Sequence, residues 1–401
     1  MFGIASWRSR GLGSVVLILG LAGCDRAPVP ADPATFLARH WQDPLPPQGD
    51  PPAGFSELEA SLAPESCAQC HADQYQQWRT ALHSHTMGAG LLWQVELLGP
   101  EQSNACLRCH APLAEQKALL ARTMNWPNAP ASAPPAYVPG NLHWQGLTCA
   151  GCHVRGHQRF GPPSAKAPVE GAPHGGFTAS SAFEDSRFCA HCHQFPEEGP
   201  RLAGKLREDT YGQWQASPYA GKETCQSCHM PDRRHLWRGI HDPDMVRQAL
   251  GLTLRLEPLA GGEYRAVLVA RNQGAGHHLP TYMVAKIDLV LTLRRPGLPA
   301  RELGREVIGW TADVEMTREV ADTRIPAGGQ RTFSQVFKAP QGTGWSVEAR
   351  ADVRPREHYE RMFRQSRRTL KLSPDAERLL EEAIAEAART HFTALRIEAR
   401  P

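Results

Sequence analysis

From about residue 250 onward, apolar and polar positions alternate along the chain. Leu252, Leu254 and Leu256 occupy every second position, as do Tyr264, Ala266, Leu268 and Ala270. Ile287, Leu289, Leu291 and Leu293 do the same, followed by Trp345, Val347, Ala349, Ala351 and Val353. A period of two sends successive side chains to opposite faces of a strand. Breaks at Arg295-Pro296-Gly297 and Ala327-Gly328-Gly329 supply turns between such strands. The pattern predicts a small antiparallel β-sandwich over residues 249–357. The period then changes. Leu379, Leu380, Ala383, Ile384, Ala387 and Ala388 form one helical stripe, with Ser373 placed to cap the helix and Pro374 in its first turn. Residues 358–401 therefore read as a C-terminal helical segment, whose stripe either packs on the body or docks a partner.

The N-terminus has its own pattern. Arg8 and Arg10 precede an apolar run from Gly11 to Leu21, too short to span a bilayer comfortably. The run ends in Leu21-Ala22-Gly23-Cys24, which resembles the lipobox of bacterial lipoproteins. That resemblance implies a signal peptide over 1–23, an acylated Cys24 and attachment to a membrane surface. An ordinary secretory leader with an incidental cysteine is the alternative. Asp25 hints at retention on the inner membrane. Eight prolines between Pro28 and Pro52 make residues 24–60 read as a semi-extended tether.

Between tether and sandwich, residues 61–248 are dominated by cysteine. Ten of the eleven cysteines form five Cys-x-x-Cys-His motifs, at Cys67/Cys70/His71, Cys106/Cys109/His110, Cys149/Cys152/His153, Cys189/Cys192/His193 and Cys225/Cys228/His229. Only Cys24 is left over. In such a motif the two thiols bond to the vinyl positions of one porphyrin, and the adjacent histidine reaches its iron. Zinc sites need no histidine directly after every second cysteine, and five thioredoxin-like motifs would leave no room for their folds. The expected cofactors are five covalently bound c-type haems, attached outside the cytoplasm. Successive motifs begin 36 to 43 residues apart. That is too little chain for each haem to have a private core, so the haems must share walls.

Composition agrees. The 401 residues include 34 prolines and 35 glycines, which suits a loop-rich, mainly helical cofactor domain within an α+β chain. The formal net charge of +3 carries no nucleic-acid signature. Without the leader the chain is near +1. Ten propionates and five ferric centres would bring the oxidised holoprotein to roughly −4, and reduction to about −9.

Histidine on both sides closes an iron and leaves it to pass electrons, whereas an open face can bind substrate. Thirteen histidines lie outside the motifs. Trp78 to His83 resembles the Trp-x-x-Ser-x-His element of multihaem cytochromes related to cytochrome c554, with Ala81 in the serine position. In that family the histidine supplies a distal ligand, and His85 is its close competitor here. Phe188 to Phe195, Thr210 to Trp214 and Cys225 to Pro231 are similar to the same superfamily. A second tryptophan element, at Trp214, has Tyr219 where histidine would stand. Gly276-His277-His278-Leu279-Pro280-Thr281 resembles a Gly-His-x-x-Pro-Thr element in which the histidine returns onto a haem. The expected distal set is His83, His174, His235, His241 and His277, with His143 and His157 as reserves. His40, His358 and His391 read as structural. Met87, Met230 and Met283 are not expected to ligate.

The expected function is electron transfer by a membrane-anchored periplasmic cytochrome with redox protein partners. No catalytic residue is assigned. The alternatives are an oxidoreductase acting on a small nitrogen or sulfur compound at one open haem, for which Tyr219, His143 and His157 are the suggestive residues, and a subunit docked in a larger complex. All five motifs end in histidine, unlike nitrite reductases that carry a lysine there.

Overall fold

The computed structural model describes residues 32–164 and 172–401. The expected leader (1–23) and Cys24 lie outside the described residues. Among the described residues no helix is long and apolar enough to cross a membrane.

The second half of the expected tether is packed, not free. Asp32 accepts from the Thr35 amide at 2.8 Å and caps helix α1 (Pro33–His40), with Pro33 at the first helical position. Phe36, Leu37 and Trp41 are buried against Ala182 and Phe183, and Leu45 joins a second cluster with Leu62 and Leu113. A capping box at Ser56 and Glu59 starts another turn at Glu57–Ala60. The proline count suggested a tether, but the large apolar side chains between the prolines decide the outcome.

The cysteine-rich region is a set of short helices joined by long loops. Its larger elements are α2 (Ala89–Leu97) and α3 (Pro100–His110). The sandwich follows, and the chain as a whole is α+β. One sheet orders β1 (Leu250–Pro258), β2 (Glu263–Asn272) and a later strand as later–β2–β1. The second contains β3 (Lys286–Arg295) and β4 (Leu298–Ile308). The later strand of the first sheet is β5 (Gln330–Lys338), and β6 (Ser346–Arg354) pairs with β3 in the second. All these pairings are antiparallel, with Val347 opposite Leu293 and Leu254 opposite Leu268. The alternating residues face inward as expected. Ala266, Leu268 and Ala270 meet Ile287, Leu289, Leu291, Leu293 and Val347 to Val353 in one core. Burying each leucine contributes about 1.5–3 kcal/mol.

Two helices, α4 (Glu357–Thr369) and α5 (Pro374–Arg389), follow, with Ser373 capping α5 through the Ala376 amide. Leu380, Ala383 and Ile384 of α5 bury against Ala89 and Trp93 of α2, so this stripe clamps the sandwich end of the chain onto the cysteine-rich part. The chain does not end as a helix. Strand β7 (Phe392–Ala399) returns to the sandwich beside β6, with Leu395 opposite Ala351 and Ile397 opposite Ala349. The alternation Leu395-Arg396-Ile397-Glu398 carries that signal, in a segment expected to be helical throughout.

Candidate functional site

Each motif occupies about one helical turn, so residues i, i+3 and i+4 share a face. In the first motif the His71 amide donates to the Cys67 carbonyl at 2.8 Å, closing that turn. The third, fourth and fifth motifs lie on helices Cys149–His153, Arg187–His193 and Cys225–His229, and the second ends α3. Among the described residues, no three or more His, Cys, Asp or Glu side chains converge as a zinc site would require.

The histidines separate by which ring nitrogen the fold has engaged. The Nδ1 atoms of His110, His153 and His229 meet the carbonyls of Thr86, Phe160 and Arg238 at 2.8, 2.8 and 2.5 Å. His174, His235 and His277 do the same with Gly176, Arg233 and His278 at 2.8, 3.1 and 2.8 Å. A carbonyl only accepts, so Nδ1 carries the proton and Nε2 keeps its lone pair, the arrangement of a ligating imidazole. A second group is engaged through Nε2. His40, His85 and His157 meet the carbonyls of Cys152, Arg79 and Gly49, and His143 meets the Thr123 hydroxyl. His391 meets Glu360 the same way. His85, the competitor of His83, is thus tied back to its own turn.

Three rings expected on sequence grounds face motif rings. His83 and His193 have centroids 6.4 Å apart, His153 and His235 6.1 Å, and His229 and His277 6.3 Å. A ligating nitrogen lies about 2 Å from a metal and about 1.1 Å from its ring centre, so two imidazoles across one iron have centroids roughly 6.3 Å apart. Burial, then neighbouring histidines, pushes the His83 pKa down to about 3. Burial likewise takes His235 and His277 down to about 4. All three are held neutral, as ligation needs.

The fold positions these rings from a distance. His277 sits on a loop of the sandwich where Asn272 donates to the His277 and Ile325 carbonyls at 2.8 and 3.1 Å. Gln213 receives the His278 amide and the Thr281 hydroxyl, at 3.1 and 3.0 Å, and so fastens the loop to the cysteine-rich part. Trp237, which sequence reasoning passed over, lies between His83 and His235, 4.7 and 5.1 Å from their centroids.

Not every expected residue is brought to a partner. Among the described residues neither His174 nor His241 stands at that spacing from a motif ring. His174 nonetheless has its Nδ1 engaged. His241 has no such anchor and lies beside Arg356, which after burial helps push its pKa down to about 4. The residues suggested for an open site are occupied elsewhere. The Tyr219 hydroxyl donates to the Gln273 carbonyl at 3.0 Å, and His143 and His157 are engaged as above. Met87 and Met283 are buried in apolar clusters.

Thiols of different motifs also approach one another. Cys67 lies beside Cys149, Cys109 beside Cys192, and Cys189 beside Cys225. Cys152 lies near both Cys189 and Cys192. Each thiol marks the edge of the porphyrin it would hold. The motifs therefore adjoin as first–third, third–fourth, second–fourth and fourth–fifth.

Residues 66–129 match the family model described as cytochrome c554 and c-prime. In that segment the chain resembles the multihaem c-type cytochromes. Its fold is similar to a penta-heme cytochrome c552 from Thermochromatium tepidum, at 19% identity and a TM-score of 0.58, covering 86% of this chain and 100% of that one. No curated protein sequence matches it. The free Nε2 atoms and paired thiols described above suit covalently bound c-type haem.

Proposed function

We propose that this cytochrome is an electron carrier with five haems, held on the periplasmic side of a bacterial membrane by a lipid on Cys24 and exchanging electrons with redox protein partners. The cysteines Cys67, Cys70, Cys106, Cys109, Cys149, Cys152, Cys189, Cys192, Cys225 and Cys228 hold the haems, and His71, His110, His153, His193 and His229 are the proximal ligands. His83, His235 and His277 close the far sides in the fourth, third and fifth sites, and His174 does so in the first. The haem supplies one-electron chemistry when bound. The protein closes these four irons to substrate and keeps the cofactors close to each other.

The observation that carries this reading is the facing of His83, His235 and His277 with motif imidazoles at the spacing of two axial ligands. The thiol contacts add a route from the first motif through the third and fourth to the fifth. Cys70 and Cys228, at the two ends of that route, are exposed. Electrons would enter and leave there. Residues 33–60 pack on the body, and the stretch from Cys24 to Asp32 could reach at most roughly 30 Å even if fully extended, which would keep the haem array near the membrane.

Potentiometric titration of the purified protein, followed in the visible haem bands, tests this. The expected result is reversible uptake of five electrons with no substrate present. Fewer electrons, or haems that do not exchange them, would contradict the reading.

A further inference from the structure

The stretch Asp232 to Arg238, just after the fifth motif, touches histidines of three sites. The Arg238 carbonyl accepts from His229 Nδ1 at 2.5 Å. His235 faces His153 of the third motif. The Trp237 indole lies edge-to-face against both His235 and His83, at interplanar angles of 89° and 68°, and His83 faces His193 of the fourth.

The backbone that presents this indole is unusual. Asp232, Arg233 and Trp237 have φ of 56°, 58° and 43°, in the left-handed region that side chains with a Cβ avoid, bulky ones above all. Such a conformation persists only where its surroundings hold it, and it clusters at functional positions. Here the anchors are on the page. The His235 amide donates to Gln77 Oε1 at 2.7 Å, and the Arg238 guanidinium donates to the Thr80 carbonyl and hydroxyl at 3.2 and 3.1 Å. Gln77 lies in helix Ala72–Arg79 and Thr80 ends it, three residues before His83. Trp237 is thus fastened to the piece of chain that carries one of the rings it touches.

Of the four distal rings, His174, His235 and His277 are each held at Nδ1 by a carbonyl. Among the described residues no hydrogen bond orients the His83 ring, and the indole stands against it instead. Turning His83 or His235 about its ligating nitrogen would break the edge-to-face contact, which aromatic rings favour. The ring angles differ accordingly. The two pairs beside Trp237, His83/His193 and His153/His235, are tilted by 50° and 36°, whereas His229/His277 is within 8° of parallel.

We propose that Trp237 is a positioning residue shared by two sites, its indole fixing the ring planes of His83 and His235 and so tuning the third and fourth haems together and apart from the fifth. This rests on the reading of His83 and His235 as axial ligands. Groups that orient a ligand tune the metal it binds, and in a ferric haem with two imidazoles the angle between the ring planes sets the g values. The third and fourth motifs adjoin through Cys152, so Trp237 governs the middle of the electron route.

The test compares Trp237→Leu and Trp237→Phe with wild type as ferric holoproteins, by low-temperature EPR with haem content from pyridine haemochrome. In Trp237→Leu the largest g values of two low-spin haems should move by more than their linewidths, with haem and low-spin counts kept. The signal of the near-parallel pair, assigned by its loss in His277→Ala, should stay. Trp237→Phe retains an aromatic edge and should return both signals most of the way to wild type. A shift in one haem or none would overturn the shared role. So would a shift that includes the near-parallel pair, because His229 hangs on the Arg238 carbonyl and would register a general loosening of the stretch. A Phe variant indistinguishable from the Leu variant would also overturn it. Wild type without low-spin haem would count instead against the carrier reading itself.

Discussion

His229 and His277 face each other 6.3 Å apart with their rings only 8° from parallel, although they stand 48 positions apart in the sequence and belong to different parts of the fold. One is part of the last cysteine motif and the other sits on a loop of the β-sandwich. The sandwich thus places a ring directly against the fifth motif. His277→Ala should leave all haems attached, since Cys225 and Cys228 are untouched, and should convert one low-spin ferric haem to high-spin. EPR quantified per haem reads this. An unchanged low-spin count would mean that His277 is not a ligand.

His83 and His85 offer an internal control two residues apart. His83 faces His193, whereas the His85 Nε2 is spent on the Arg79 carbonyl at 3.1 Å. His83→Ala should add a high-spin signal and His85→Ala should not. The reverse outcome would exchange their roles.

His40 is a buried histidine whose Nε2 is engaged by the Cys152 carbonyl, ringed by Phe36, Phe160, Phe183 and Phe188. Burial first, and Arg155 next, push its pKa down to about 2. The unfolded chain takes up a proton near pH 6.5, and the folded chain does not until about pH 2. Below pH 6.5 the unfolded state therefore binds more protons, and stability falls as pH falls, by about 1.4 kcal/mol per unit. His40→Phe should lose the hydrogen bond to Cys152, costing about 1 kcal/mol near neutrality. It should also flatten the acid limb. Thermal unfolding of both proteins between pH 7 and 4 decides this, and parallel curves would contradict it.

Cys24→Ser addresses the anchor. The protein should move from the membrane fraction to the soluble periplasmic fraction with its haem content unchanged, as read by fractionation and haem staining. If wild type is already soluble, the lipid assignment fails.

Much of this was legible in the sequence, for identifiable reasons. The attachment residues follow from a fixed spacing on one helical turn. The sandwich follows from a strict period of two, as at Ile287 to Leu293. His83 and His277 were marked by local elements around them, and His235 by its position just after the fifth motif. His241 shared that last signal but has no anchoring carbonyl and faces Arg356, a difference set by α4, more than a hundred residues away. The last strand was missed because the strong stripe of α5 masks the short alternation that follows it. Packing of residues 33–60 was missed because prolines were weighed above Phe36, Trp41 and Leu45.

The central claim is that one chain carries five covalently attached haems. The intact mass of the purified protein under denaturing conditions tests it most directly, because thioether-linked haem survives unfolding and non-covalently held cofactors and metals do not. The account predicts the mature polypeptide plus five haems. A mass corresponding to four or fewer, or to bare polypeptide, would contradict it.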